Sequence, residues 1–334
     1  MRCRRIANGY IMAQHFLLSS AAKTLSLLDV MKASDAQVER LFAALRWPET
    51  DGQADCVHCG SLSVYDCRRP NGAPRFRCKD CGKDFSITSG TLFASHKLSL
   101  RTYLLAILLF CNEVKGKSML AMSRELGLSY KSAFVLCHKL REAMAQEMKG
   151  RTMGGEGVEA EIDGAVFGHY VKQENRKEDR KDRRLAANQS PRKRFVVVVR
   201  ERQGNTTPMI FKTEADATKW IAARVDRKTV LHADEAPSWN ALHARFDVRR
   251  INHEQAYSWD GACTNQAESF FSRLRRAEQG HHHCISGPYL LRYAQEASWR
   301  EDNRRVANGA QVRRVVGNAL AAKQSVDFTG YWQR

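Results

Sequence analysis

The sequence predicts an α/β domain built on a mixed sheet with flanking helices, preceded by a small cysteine-stapled module and a helical region. Three observations predict it. Four cysteines fall in two Cys-x-x-Cys pairs between residues 56 and 81, and residues 98–148 carry helical periodicity without β-type runs. After Gly150, strand-like apolar runs come first and amphipathic helical runs are interleaved later. With 334 residues there is chain enough for two or three separate cores.

Residues 1–50 read as a helical region, with an apolar pattern through Leu41, Leu45 and Trp47 that ends at Pro48. Residues 51–92 are short, Gly/Pro-punctuated and strand-like. Cys56 and Cys59 are followed after 18 residues by Cys78 and Cys81, the spacing of a zinc ribbon. Each pair sits on a tight turn, and Gly60 and Gly82 directly follow the second cysteine, where a knuckle needs positive φ. Two knuckles complete a closed tetrahedral thiolate site for Zn²⁺, which leaves no position for water and is therefore structural. Cys67 stands outside this set. Arg75, Arg77, Lys79 and Lys83 make the ribbon basic.

Residues 93–149 return to helix. The run at 103–114 is apolar on nearly every face and predicts a buried helix. Residues 118–126, a Gly127-Leu128-Ser129 turn and residues 130–144 read as a helix-turn-helix, with Gly127 as left-handed cap and Ser129 as N-cap. Lys131, His138, Lys139 and Arg141 give its second helix a basic side, so Lys131, Lys139 and Arg141 are expected DNA contacts.

Residues 150–306 form the α/β domain. Strands are expected at 158–167, 195–200, 208–211 and 229–232, and helices at 214–224, 265–276 and 289–305. The basic run at 171–194 reads as a DNA-facing finger, and residues 307–334 as a basic, weakly helical tail.

Charge narrows the partner class. Fifty-four Lys and Arg against 36 Asp and Glu give a net charge of +18, an excess suited to phosphate backbones. No apolar run approaches the ~20 residues of a membrane span. Asn8, Gly9, Gln14 and His15 interrupt the start of the chain, so a secretory leader is not expected. Paired cysteines with metal spacing, rather than a disulfide framework, fit a reducing cytoplasm.

Candidate chemistry lies in acids. Alternation along residues 158–163 puts Glu159, Glu161 and Asp163 on one strand face, and three like charges on one face call for cations. Asp234 follows the strand at 229–232, with Glu235 as its competitor; strand ends of α/β sheets are where such groups collect. On the helix at 265–276, Ala267, Phe270, Phe271 and Leu274 form the apolar stripe, while Glu268, Arg275, Ser272 and Asn265 share another face. Carboxylates converging at one sheet edge can hold two divalent ions for phosphodiester displacement.

Taken in order, these residues resemble a DDE transposase of a bacterial insertion sequence, of the ISXO-like group with an N-terminal zinc ribbon. The resemblance rests on Arg46-Trp47-Pro48, Phe76-Arg77-Cys78-Lys79-Asp80-Cys81 and the run from Phe85 to Phe93. It continues through Glu161-Ile162-Asp163, Asp234, the run from Thr264 to Leu274, Tyr289-Leu290 and Trp299-Arg300. It implies an RNase H-like catalytic domain, Mg²⁺ or Mn²⁺ held by Asp163, Asp234 and Glu268, and cutting and joining of transposon ends. Arg275, and Asn265 beside it, would face DNA phosphate. Two departures stand out: Gly164 follows Asp163, where the group often has a second acid, and Asn265 is a second candidate for the third metal-binding position. The expected partner is double-stranded DNA, both transposon ends and target, bound by a homo-oligomer in the cytoplasm at the nucleoid. The alternative is a DNA-binding regulator whose α/β domain is inactive. The Gly280-His281-His282-His283-Cys284 run is expected to be a structured loop rather than a second metal site.

Overall fold

The computed structural model describes residues 15–70, 72–95, 98–168, 174–182, 188, 193–251 and 263–328. Half of the basic run at 171–194 lies outside the described residues.

The N-terminal half is a helical body with the ribbon attached. Helices α1 (Leu27–Lys32) and α2 (Asp35–Arg46) each open with a reciprocal capping box, Ser26 with Asp29 and Ser34 with Gln37. Helices α3 (Leu100–Asn112), α4 (Met119–Glu125) and α5 (Tyr130–Ala145) are N-capped by Ser99, Ser118 and Ser129. As its composition requires, α3 is buried on most sides, with Tyr103, Leu104, Ala106, Ile107, Leu108, Phe110 and Cys111 in the core. The ribbon is an antiparallel sheet of β1 (Val64–Asp66), β2 (Phe76–Cys78) and β3 (Asp84–Phe85) in that order. Trp47 meets the rings of Phe76 and Phe85 edge-on at 5.8 and 6.5 Å, which fixes the ribbon to the end of α2.

The C-terminal half is a five-stranded sheet. Its strands are β4 (Glu159–Phe167), β5 (Arg194–Glu201), β6 (Thr206–Phe211), β7 (Val230–Asp234) and β8 (Asp247–Ile251), in the order β6-β5-β4-β7-β8. The β4–β5 and β5–β6 pairs are antiparallel, whereas β4–β7 and β7–β8 are parallel. Both faces are covered, so β5 is a continuous valine run. Val197 and Val199 pack with Ala217 and Ile221 of α6 (Ala217–Arg224) and with Trp239. Val196 and Val198 pack on Phe270 and Phe271 of α7 (Asn265–Ala277), and on Leu290 and Ala294 of α8 (Leu290–Asp302). The four expected strands are present within two residues or so of their limits; β8, a short edge strand with exposed Asp247 and Arg249, was not expected.

Two expectations are corrected. In the expected weakly helical tail, residues 308–321 are a packed helix, α9, whose Val312, Val315, Val316, Ala319 and Leu320 are fully buried against the helical body. The i, i+3, i+4, i+7, i+8 spacing of these residues was already in the sequence, masked by the arginines between them. Leu92 donates its backbone N–H to Ala319 O, and Arg46 reaches Leu320 O and Ser89 O, so the chain's end closes over the ribbon's exit.

The second correction concerns α5. Its supposed basic side is interior, because α4, α8 and α9 all pack on it. Lys139 is 5% exposed and Arg141 fully buried, so neither is a DNA contact. Arg141 pairs with Glu296 of α8 at 2.6 Å and lies over the Tyr293 ring, while His138 stacks on Phe328. Burial pushes the His138 imidazole down to about 3, so it is a neutral core ring. Only the first turn of α5, with Tyr130 and Lys131, is exposed.

No helix of the described residues is long and apolar enough to cross a membrane.

Candidate functional site

The four ribbon cysteines converge. Cys56 Sγ and Cys81 Sγ are 3.6 Å apart, as are Cys59 Sγ and Cys78 Sγ, and all four sulfurs lie within 4.8 Å of one another. Tetrahedral zinc with Zn–S of about 2.3 Å requires sulfurs about 3.8 Å apart, so the cage fits the ion. The two knuckles repeat one hydrogen-bond pattern: Gly60 N–H donates to Cys56 O and Gly82 N–H to Cys78 O, at φ of +76° and +68°. His58 N–H and Cys81 N–H also point at Cys56 Sγ and Cys78 Sγ. This is a structural Zn²⁺ site. Replacing Cys78 with Ser is expected to abolish stoichiometric zinc by metal analysis. It should open residues 56–85 to protease while the sheet domain stays resistant; retained zinc would contradict the ligand set.

The three acids on the α7-facing side of β4 have separate fates, which the alternation alone did not separate. Glu159 is bound by Arg202 and by His232 Nε2 at 3.0 Å. Glu161, 1% exposed, accepts the backbone N–H groups of Gln266 at 2.7 Å and Ala267 at 3.1 Å, and meets Arg202 at 3.3 Å. Those N–H groups belong to the first turn of α7, where the helix dipole favours an anion. Glu161 therefore anchors the start of the helix that carries Glu268. Glu161→Ala would leave the Gln266 and Ala267 N–H groups without their acceptor and Arg202 with Glu159 alone of the two acids. A stability loss of about 2–4 kcal/mol is expected in urea unfolding, and a loss under about 1 kcal/mol would refute the anchoring role.

Asp163 is the member of the row that faces other acids. The β4–β7 register pairs Ile162 with Ala233, so Asp163 and Asp234 follow side by side where β7 ends. Asp234 Oδ1 accepts from Trp239 Nε1 at 2.8 Å and from Ala236 N–H at 3.2 Å, which fixes its carboxylate. Burial pushes the Asp163 carboxyl up to about 7 against the pull of the Gly164 N–H at 2.7 Å, and the charges of Asp234, Glu268 and Glu214 push the same way. Glu268 is exposed on α7, whose phenylalanine stripe is buried as the periodicity requires. It lines, with Asp163, Ser272, Arg275, Arg276 and Gln279, an open pocket of about 480 Å³.

Asn265 is not in that pocket. It lines a neighbouring open groove of about 740 Å³ with Arg202, Arg273, Arg304 and Arg305. Arg275 and Asn265 are both exposed, and Lys131 is exposed far along the chain at the start of α5. His282, in the predicted structured loop, packs on Tyr293 at 4.7 Å, and burial pushes its imidazole down to about 4.

Glu214 is the acid that the sequence reading missed. It stands just before α6, at the first position of the helix expected over residues 214–224, its Oε2 accepting from Ser238 Oγ at 2.7 Å. Nothing local marks it; only the folded chain brings it to Gly164 and Asp234.

Among the described residues, the cysteine quartet is the one group of His, Cys, Asp and Glu drawn tightly enough to cage an ion as it stands. The acid site is more open. Its all-oxygen donors, mutual repulsion and solvent access suit a hard divalent cation that keeps several waters.

The chain matches two family descriptions: a transposase zinc-ribbon domain over residues 33–84 and an ISXO2-like transposase domain over residues 154–302. No curated protein matches it. Both domains are present in one chain and in this order, the ribbon with its four-sulfur cage and the α/β domain with its sheet and acids. The chain thus belongs to the ISXO2-like transposases with an N-terminal zinc ribbon.

Proposed function

We propose that this protein is the transposase of a bacterial insertion sequence, binding the terminal inverted repeats of its element and carrying out metal-dependent DNA cleavage and strand transfer. The carrying observation is that Asp163, pushed up by burial and by the nearby charges of Asp234 and Glu268, lines with Glu268 and Arg275 one open pocket at the end of β7. A sheet with three antiparallel strands extended by two parallel ones supports an RNase H-like reading of the catalytic domain.

Asp163, Asp234 and Glu268 would hold Mg²⁺ or Mn²⁺, which supplies activation of the attacking oxygen and stabilisation of the leaving oxygen. The chain's own groups do the rest. Trp239 and the Ala236 N–H hold the Asp234 carboxylate in one orientation, and Glu161 fixes the helix that presents Glu268. Arg275 neutralises the phosphate entering the pocket, and the arginine groove beside Asn265 holds the backbone of the same duplex. In the first step water attacks the phosphodiester at the transposon end, the transposon's 3′ oxygen leaves as a free hydroxyl and the phosphate stays on the flanking 5′ end; in the second that hydroxyl attacks a target phosphodiester and the target's own 3′ oxygen leaves. The exposed ribbon cations Arg77, Lys79 and Lys83, together with Lys131 at the start of the second helix of the helix-turn-helix, bind the repeats. Pairing two ends requires a homo-oligomer, working on DNA in the cytoplasm.

The test is incubation of the zinc-loaded protein and Mg²⁺ with duplex DNA from the flanks of its gene. Nicked and joined products are expected. Nicking without joining would indicate a plain nuclease, and binding without nicking a regulator.

A further inference from the structure

β8 is an edge of the five-stranded sheet, and among the described residues β7 is its one strand neighbour. An edge presents unpaired backbone N–H and C=O groups, and proteins ordinarily blunt it with charged side chains. The charges of β8 are more selective than that. Alternation and the β7–β8 register put Asp247 and Arg249 on the sheet face of Asp234, both exposed and 4.0 Å apart. Val248 points to the other face, into the core that holds Leu231 and Trp239. Helices α7 and α8 pack over β4, β5 and β6 of the same sheet.

A second copy can add its own β8 antiparallel to this edge. Side chains directly opposite in such a pair share a face, so the two-fold axis must pass through a pair of identical residues. Centred on Asp247, the pairing sets carboxylate against carboxylate. Centred on Arg249 or Arg250, it sets guanidinium against guanidinium. Centred on Val248, it sets Asp247 against the partner's Arg249 and Arg249 against the partner's Asp247, with the two valines together over the core. Of these alignments one alone is complementary, so the edge charges specify a register rather than forbid contact.

We propose that β8 is a self-pairing edge through which two copies of this chain join their sheets into one, in the register centred on Val248. The inference rests on the reading of the protein as a transposase that pairs two element ends. An axis perpendicular to the sheet leaves both acid sites on the same face. Strand rise and spacing put the two Asp234 positions roughly 25 Å apart. Both sites can then work on a single DNA assembly.

The experiment is sedimentation equilibrium of the zinc-loaded full chain, alone and with duplex DNA from the flanks of its gene, with nicking and joining followed on the same samples. Wild type is expected to dimerise. Asp247→Arg sets arginine against arginine across the edge, and Arg249→Asp sets aspartate against aspartate. Each variant alone should therefore self-associate about tenfold more weakly or worse. Mixed in equal amounts, the two should dimerise about as well as wild type, because every facing pair is again opposite in sign. Both changes in one chain, Asp247→Arg with Arg249→Asp, should restore the dimer too. Joining of two ends should fall in each single variant and return in the mixture. Wild-type self-association in either single variant would overturn the inference. So would a mixture and a double variant that both stay weak, or a wild type that remains monomeric on DNA. A wild-type dimer that obeys the charge exchange yet neither nicks nor joins would keep the β8 contact and overturn the transposase reading instead.

Discussion

Asp163→Asn and Asp234→Asn are each expected to lower strand cleavage by about a thousandfold or more, on the order of 4 kcal/mol of barrier, while affinity for the terminal repeats stays within about twofold. The reasoning is electrostatic. The Asp163 carboxyl is pushed up to about 7 because it is buried among acids, so the folded protein holds repulsion that a divalent cation relieves. Asparagine keeps the shape and the hydrogen bond from the Gly164 N–H but removes the charge that holds the ion. DNA binding should be spared, because the ribbon cations and the arginine groove stand apart from these two side chains. Gel-shift and nicking assays on the same DNA separate the two quantities. Full cleavage by Asp163→Asn would refute the acid site, and loss of binding in step with cleavage would show a folding defect instead. Glu268→Gln should behave like the strand acids, whereas Asn265→Ala should affect DNA affinity, since Asn265 lines the groove and not the pocket.

How much of this was legible in the sequence depends on whether a residue's role is set locally. The cysteine cage was, because two knuckles with fixed spacing and a glycine after each second cysteine determine their own geometry. The α7 stripe was, because Ala267, Phe270, Phe271 and Leu274 declare a helix face and leave Glu268 on another. Glu159 and Glu161 were read as part of one acidic face, and alternation was right about the face. What it could not supply was the partner of each: Arg202 and His232 for one, and a helix terminus 105 residues further on for the other. Lys139 and Arg141 failed for a related reason. An amphipathic reading assumes that a helix has one wet side, and α5 is enclosed by three other helices. Buried cations then look on paper like surface ones, because only the identity of what faces them differs.

Arg141→Ala is expected to cost about 3–5 kcal/mol of stability in urea unfolding. Arg141 is fully buried, bonded to Glu296 at 2.6 Å and set 3.9 Å from the Tyr293 ring centre. Glu296 is also held by Arg300 at 2.7 Å, and Arg300 in turn donates to the carbonyls of Phe110 and Glu113 at the end of α3. The cluster therefore joins the helical body to α8, and α8 packs on β6 of the five-stranded sheet. Alanine removes one cation and leaves a buried carboxylate short of its partner. Burial alone would raise the Glu296 carboxyl, but Arg141 and Arg300 outweigh it and hold the group down at about 2. A folded-state value below the unfolded one gives stability that is complete above about pH 4.5 and is lost as the pH falls toward 2, on the order of 3 kcal/mol in all. Wild type should therefore lose stability steeply over that acid range, and Arg141→Ala should lose less of it there, having less of the pairing to lose. Arg141→Met combined with Glu296→Gln, which removes both charges, should be more stable than Arg141→Ala alone. A single variant within about 1 kcal/mol of wild type, or a double variant worse than the single, would show that this buried pair does not join the two halves of the molecule.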